Sequence, residues 1–182
     1  MLTLQESILN FQDASYSRVK RGDVSYADTL KITKDELNRY VGIYKQGGNA
    51  QHLRLVRDAI DHWLRRYHGY AIQGSIGSHY ISACGRTAGA TVFEHVVPAS
   101  KVRDMFIAGI LTAEQAMHMP TCIVSKQQDL ILTSNGRVSS TSNIWQFFER
   151  YNIFDDKITT HDGTEIDQDK WTLGDHFSYF SL

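Results

Sequence analysis

Between positions 53 and 67 the residues Leu53, Val56, Ile60, Trp63, Leu64 and Tyr67 recur at steps of three and four. That spacing is one face of an α-helix and does not fit the two-residue period of a strand. A helix with a single apolar stripe has to bury it against another element. A chain of 182 residues is long enough for one core that does this and short for two. Positions 1–182 are therefore expected to form one globular domain.

The flanking pattern extends this reading. Leu4, Ile8 and Phe11 form a short amphipathic segment over Leu4–Phe11. Thr33 followed by Glu36 has the form of a capping box, with Leu37, Tyr40, Val41 and Tyr44 following at helical spacing and Gly47-Gly48 as a stop. Residues 1–70 thus read as helical. From Tyr70 the texture changes: Tyr70–Ile76, His79–Ala83 and Ala90–Val97 are β-rich and separated by glycines, which predicts a hairpin or three-stranded meander. Pro98 opens a helix over Ser100–Ile110, and Thr112 with Gln115 repeats the capping-box pattern. Pro120 leads into a strand, Thr121–Ser125, with a short helix over Gln127–Leu132. Thr133–Asn143 is polar enough to read as an exposed loop, and Ile144–Tyr151 returns to helical spacing. The mixed region 71–154 gives way to an acidic, aromatic segment, 155–182, with a hairpin turning at Asp162-Gly163. Helices, then a central hairpin or small sheet followed by helices, then a C-terminal hairpin amount to an α+β fold rather than a doubly wound sheet.

Charge is unevenly distributed. Residues 1–70 carry eleven Lys/Arg against eight Asp/Glu, whereas 151–182 carry two against seven. A basic body with an acidic end is compatible with a nucleic-acid partner, the acids lying away from the phosphates. Two cysteines, Cys84 and Cys122, imply neither a disulfide framework nor a zinc site of their own. The first residues lack a charged segment followed by an apolar one, and no apolar run approaches a membrane span, so a cytoplasmic protein without a membrane partner is expected. A homodimer is compatible with all of this.

The sharpest chemical feature is Thr91-Val-Phe-Glu-His-Val-Val-Pro98, where Glu94 and His95 end a strand just before Pro98 and a helix. Imidazole titrates near neutrality and can take a proton from water at working pH. The segment resembles the opening of the His-Me finger (HNH-like) nucleases. The resemblance covers about eight residues and implies His95 as general base, Glu94 as a ligand of a divalent metal such as Mg²⁺ or Mn²⁺, and DNA as substrate. Further ligands would come from Asp104 and His118, although neither sits in a clean motif, and the paired Cys-x-x-Cys knuckles of such nucleases are missing. A second cluster follows Cys122: Lys126 ends an apolar strand and Asp129 opens the next helix. Carboxylate and lysine at strand ends are similar to the PD-(D/E)xK nucleases, a likeness that implies Lys126 as the residue placing or polarising the attacking water and Asp129 as a further metal ligand, but Val124 stands where an acid is expected. Glu94, His95, Lys126 and Asp129 would share one polar pocket if their strands pair.

Candidate phosphate contacts are Arg54, Arg57, Arg65 and Arg66, off the apolar stripe of the clearest helix, and Asn135 and Arg137 in the polar loop. Asp58 and Asp61 are spaced to pair with those arginines. Tyr67, His68 and Tyr70 could stack on bases or pack inward. Three functions fit these residues: a metal-dependent DNA nuclease, a non-catalytic nucleic-acid- or protein-binding module of the kind found in phages and mobile elements, or an enzyme acting on a nucleotide-like small molecule.

Overall fold

The computed structural model describes residues 26–135 and 147–181. The expected helix over Leu4–Phe11, Arg137 and most of the polar loop lie outside the described residues. The fold is α+β: a four-stranded mixed sheet with helices on both sides.

Helix α1 runs from Tyr26 to Lys45 and begins well before Thr33. Thr33 does not cap it. Only 1% exposed, Thr33 lies four residues before Leu37 and eight before Val41, on the same buried stripe, so burial against the core decides its place. Glu36 pairs with Arg39 instead of capping. The stop at Gly47-Gly48 is as read: Gly47 has φ +81°, a left-handed conformation that suits a residue without Cβ.

Asn49 then caps helix α2, Ala50–Tyr67, accepting a hydrogen bond from the His52 amide at 2.9 Å. Val56, Ile60, Leu64 and Tyr67 are its buried face. The helix does not give way to a strand at Tyr70. It continues through a five-residue π turn, His68–Ile72, and a last helical turn, Gln73–Ser75. The β-preferring residues here are overruled because His68, Ala71 and Ile72 are buried as a helical continuation of the α2 face.

Strand β1 spans Tyr80–Ser82, and Ser82 at once caps the short helix α3, Ala83–Thr87, by accepting from the Gly85 amide. β2 is Thr91–His95, α4 Ala99–Ile107 and α5 Ala113–Met117. β3 is Thr121–Ser125 and α6 Lys126–Ser134. A 3₁₀ turn, Glu149–Tyr151, precedes β4, Ile158–Thr160, and α7, Leu173–Tyr179. The capping box at Thr112 and Gln115 forms as read, and the same device recurs at Ser125 with Gln128.

Strand order is β2-β3-β1-β4. β1 and β2 therefore form neither a hairpin nor a meander, because β3 lies between them. It is parallel to β1 (Tyr80↔Cys122) and antiparallel to β2 (His95↔Thr121). α3 is the physical cause: it carries the chain away from β1 and packs so close to β3 that a Cβ on Gly85 would meet the Ile123 carbonyl oxygen at 2.5 Å. β4 lies antiparallel to β1 and turns at Asp162-Gly163 into one return bridge, Thr159↔Glu165.

One core joins α1 and α2 (Leu37, Ile60, Leu64) to the sheet (Tyr80, Cys122, Val124) and to Phe147, Phe148 and Tyr151. Leu64 is fully buried and Leu55, on the same helix, is 63% exposed. Leu64→Ala should cost roughly 2–5 kcal/mol, and Leu55→Ala less than about 0.5 kcal/mol, in urea unfolding of the two variants.

Candidate functional site

Side chains alternate across β2, so Glu94 and His95 leave the sheet on opposite faces. Glu94 turns toward the 3₁₀ turn Glu149–Tyr151. Its Oε1 accepts from the Arg150 guanidinium and its Oε2 from the Tyr151 hydroxyl, both at 2.9 Å. The other terminal nitrogen of Arg150 donates to the carbonyls of His95 at 3.1 Å and Val96 at 3.0 Å. The Arg150 side chain is 1% exposed and that of Glu94 12%. Burial pushes the Glu94 carboxyl up to about 7 against the pull of Arg150 and the Tyr151 hydroxyl, and Asp129 adds to the rise.

His95 turns toward the C-terminal part of α2. Its ring centroid is 4.9 Å from that of His68 and 5.8 Å from that of Phe93. Burial above all, with the nearby Arg65, lowers its pKa to about 4, and Asp61 opposes the fall. The ring is neutral at pH 7. Its Nε2 is enclosed and has no hydrogen-bond partner among the described residues, as is true of Nδ1 of His68 and Oδ1 of Asp61.

The remaining candidates are dispersed. Lys126 is exposed at the start of α6, and Asp129 sits in the first turn of that helix, within electrostatic reach of Glu94. Asp104, on α4, pairs with Arg57 at 2.8 Å and Arg103 at 2.9 Å. His118 is buried, with Nε2 3.0 Å from the Tyr67 hydroxyl. Strand pairing thus brings Glu94 and Asp129 to one side of the sheet but leaves His95 on the other, so the four residues do not share one polar pocket. Asp104 and His118 are engaged on elements away from Glu94 and Asp129, so the four candidate metal ligands are not gathered around one point. Among the described residues no group of three or more His, Cys, Asp or Glu is placed to hold one.

The basic residues of α2 divide into two sets. Arg57 and Arg65 are engaged, with Asp104 and with Asp61 (2.9 Å) respectively. Arg54 and Arg66 are exposed and form no ion pair among the described residues. Arg66 lies over two rings, 5.7 Å from the centroid of Trp63 and 5.2 Å from that of Tyr70. Asn135 ends α6, its side-chain amide donating to the Ile131 carbonyl at 2.8 Å.

Two arrangements escape sequence reasoning. Arg150 and Tyr151 are the partners of Glu94, and the only trace of them is a basic residue set in the aromatic run from Phe147 to Tyr151. The second is a buried imidazole network. His118 contacts Tyr67, its carbonyl accepts from Nε2 of His176 at 2.7 Å, and Nδ1 of His176 lies 2.8 Å from the Tyr80 hydroxyl, which also accepts from the Trp171 indole at 2.8 Å.

No protein-family profile, curated protein or solved structure matches this chain.

Two outcomes follow from these contacts. Arg150→Ala would leave Oε1 of the buried Glu94 and two strand-end carbonyls without their donor, and should cost roughly 3–5 kcal/mol in chemical unfolding. Arg150→Met combined with Glu94→Gln should recover part of that loss. For pH, burial lowers the pKa values of His68, His79, His95, His118 and His176 in the fold. Their contribution to stability is complete above about 6.5, the unfolded value, and is lost as pH falls below it, for His95, His118 and His176 through about 4. Glu94 acts in the opposite sense: its contribution is complete below about 4.5 and is lost as pH rises through about 7. Five imidazoles outweigh one carboxyl, so the urea midpoint should decline steadily from pH 6.5 to pH 4.

Proposed function

We propose that this chain is a non-catalytic nucleic-acid-binding module whose contact surface is the outward face of α2. The observation that carries this reading is the pair Arg54 and Arg66, exposed on one helix and free of ion pairs among the described residues. A guanidinium presents a planar fork of donors suited to phosphate oxygens, and an arginine already tied to a carboxylate is less free to use it. From Arg54 to Arg66 is twelve residues, about 18 Å along an α-helix. The exposed Arg65 and His62 lie between them.

Charge segregation supports the same reading. Five acids of the last third, Asp155, Asp156, Glu165, Asp167 and Asp169, line an open groove of about 1130 Å³ together with Lys157, with no residue of α2 in its wall. A polyanion approaching α2 does not have to pass over that groove.

One observation favours a second reading, a metal-dependent DNA nuclease using Mg²⁺ or Mn²⁺ with His95 as general base. His95 is neutral, ends its strand just before Pro98 and α4, and lies close enough to Arg65 for that charge to lower its pKa. Against it, Nε2 is enclosed and Glu94 faces away across the sheet.

Binding and nicking assays separate the two. Arg54→Glu with Arg66→Glu should weaken nucleic-acid binding tenfold or more and flatten its dependence on salt, while His95→Ala leaves binding unchanged. No plasmid nicking is expected in Mg²⁺ or Mn²⁺. Metal-dependent nicking by the wild type that disappears in a folded His95→Ala variant would replace the first reading with the second.

A further inference from the structure

We propose that Trp63, Arg66 and Tyr70 form a base-stacking seat that gives α2 a preference for single-stranded over duplex nucleic acid. The inference rests on the reading of α2 as a nucleic-acid face and narrows its ligand. Trp63 and Arg66 are three residues apart and so are neighbours on the helix surface. Tyr70, four residues beyond Arg66, belongs to the π turn His68–Ile72, and π turns within helices occur often at functional sites. Trp63 packs its inner side against the core, while it and Tyr70 each remain partly exposed.

The guanidinium of Arg66 lies 5.7 Å and 5.2 Å from these two ring centroids, so three planar groups are gathered at one exposed spot. Cation–π attraction holds the guanidinium there. A planar cation over aromatic rings offers two things at once, donors at its edge for a phosphate and a flat surface for a base. A nucleobase can stack on this arrangement only if its own face is free. In a duplex both faces are covered by neighbouring pairs, whereas a single strand can turn a base outward. Arg54 lies about 18 Å away on the same helix, where it would meet the backbone of the same strand.

The test compares binding of the full chain to an unstructured pyrimidine oligonucleotide and to a duplex of equal length, by fluorescence anisotropy at one fixed salt concentration. Wild type should bind the single strand at least tenfold more tightly. Tyr70→Leu should remove most of that margin while leaving duplex affinity within twofold. Trp63→Phe, which keeps a ring to pack, should lose less. Because Tyr70→Leu alters a partly exposed ring, its thermal midpoint should stay at the wild-type value; if it does not, Arg66→Gln is compared instead, where both affinities should fall with the lost phosphate donor and the single-strand affinity by the larger factor. Equal affinity for the two ligands, or tighter duplex binding, would overturn the preference and leave the α2 reading standing, as would a Tyr70→Leu variant that keeps the full margin. Absence of binding to both would overturn the α2 reading and this inference together.

Discussion

The guanidinium of Arg150 joins two parts of the chain that lie more than fifty residues apart. A buried arginine needs acceptors, since its charge cannot be neutralised by losing a proton. Three are supplied at one place: the carboxylate of Glu94 and the carbonyls of His95 and Val96. The carbonyls belong to the end of β2, where the strand breaks off before Pro98. With them satisfied, β2 can stop inside the protein without leaving bare backbone. Next to this contact Phe147 and Phe148 pack against Tyr80, with Tyr151 against Phe148, and complete the core on that side. Glu94 is thus part of the scaffold.

Among the described residues, four imidazoles are buried in the interior. His68, His79, His118 and His176 are each 5% exposed or less, and each makes a hydrogen bond to a backbone or side-chain group from another part of the chain. In the neutral ring one nitrogen donates and the other accepts, so histidine can bridge groups that a hydrocarbon would leave unpaired. The Tyr67–His118–His176–Tyr80 series links α2, the end of α5, α7 and β1 in this way. Specific partners come with a limitation: the network holds only while the rings stay uncharged.

Features governed by neighbouring residues were legible in the sequence. The stripe from Leu53 to Tyr67, the Thr112–Gln115 cap and the strand after Pro120 depend on three or four adjacent positions, and each forms where the pattern puts it. Thr33 and Tyr70–Ile76 misled because long-range burial overrode local preference: a threonine that could cap was needed on a buried stripe, and residues suited to a strand were wrapped onto the end of a helix. The candidate site follows the same division. That Glu94 and His95 point oppositely can be read from strand alternation. That Arg150 awaits one and His68 the other cannot, because those partners come from distant elements with no shared motif. The scatter of Asp104 and His118 has the same origin, since Asp104 is engaged by Arg57 and His118 by Tyr67, each about fifty residues away in the chain.

The position of β3 bears on how the molecule can be assembled. It is the third strand in the chain yet lies between the first two in the sheet, and β1 and β2 make no ladder with each other. While the polypeptide is being synthesised, α1 and α2 can close against each other across their short connection. β1, three residues long, and β2, five, have nothing to pair with until positions 121–125 follow. The sheet therefore grows from a late central strand outward, and closing it brings together segments far apart in the chain, the slow kind of contact in folding. A nascent chain halted before Thr121 would present a helical hairpin with two unpaired strand segments, a form prone to aggregate before the native sheet exists.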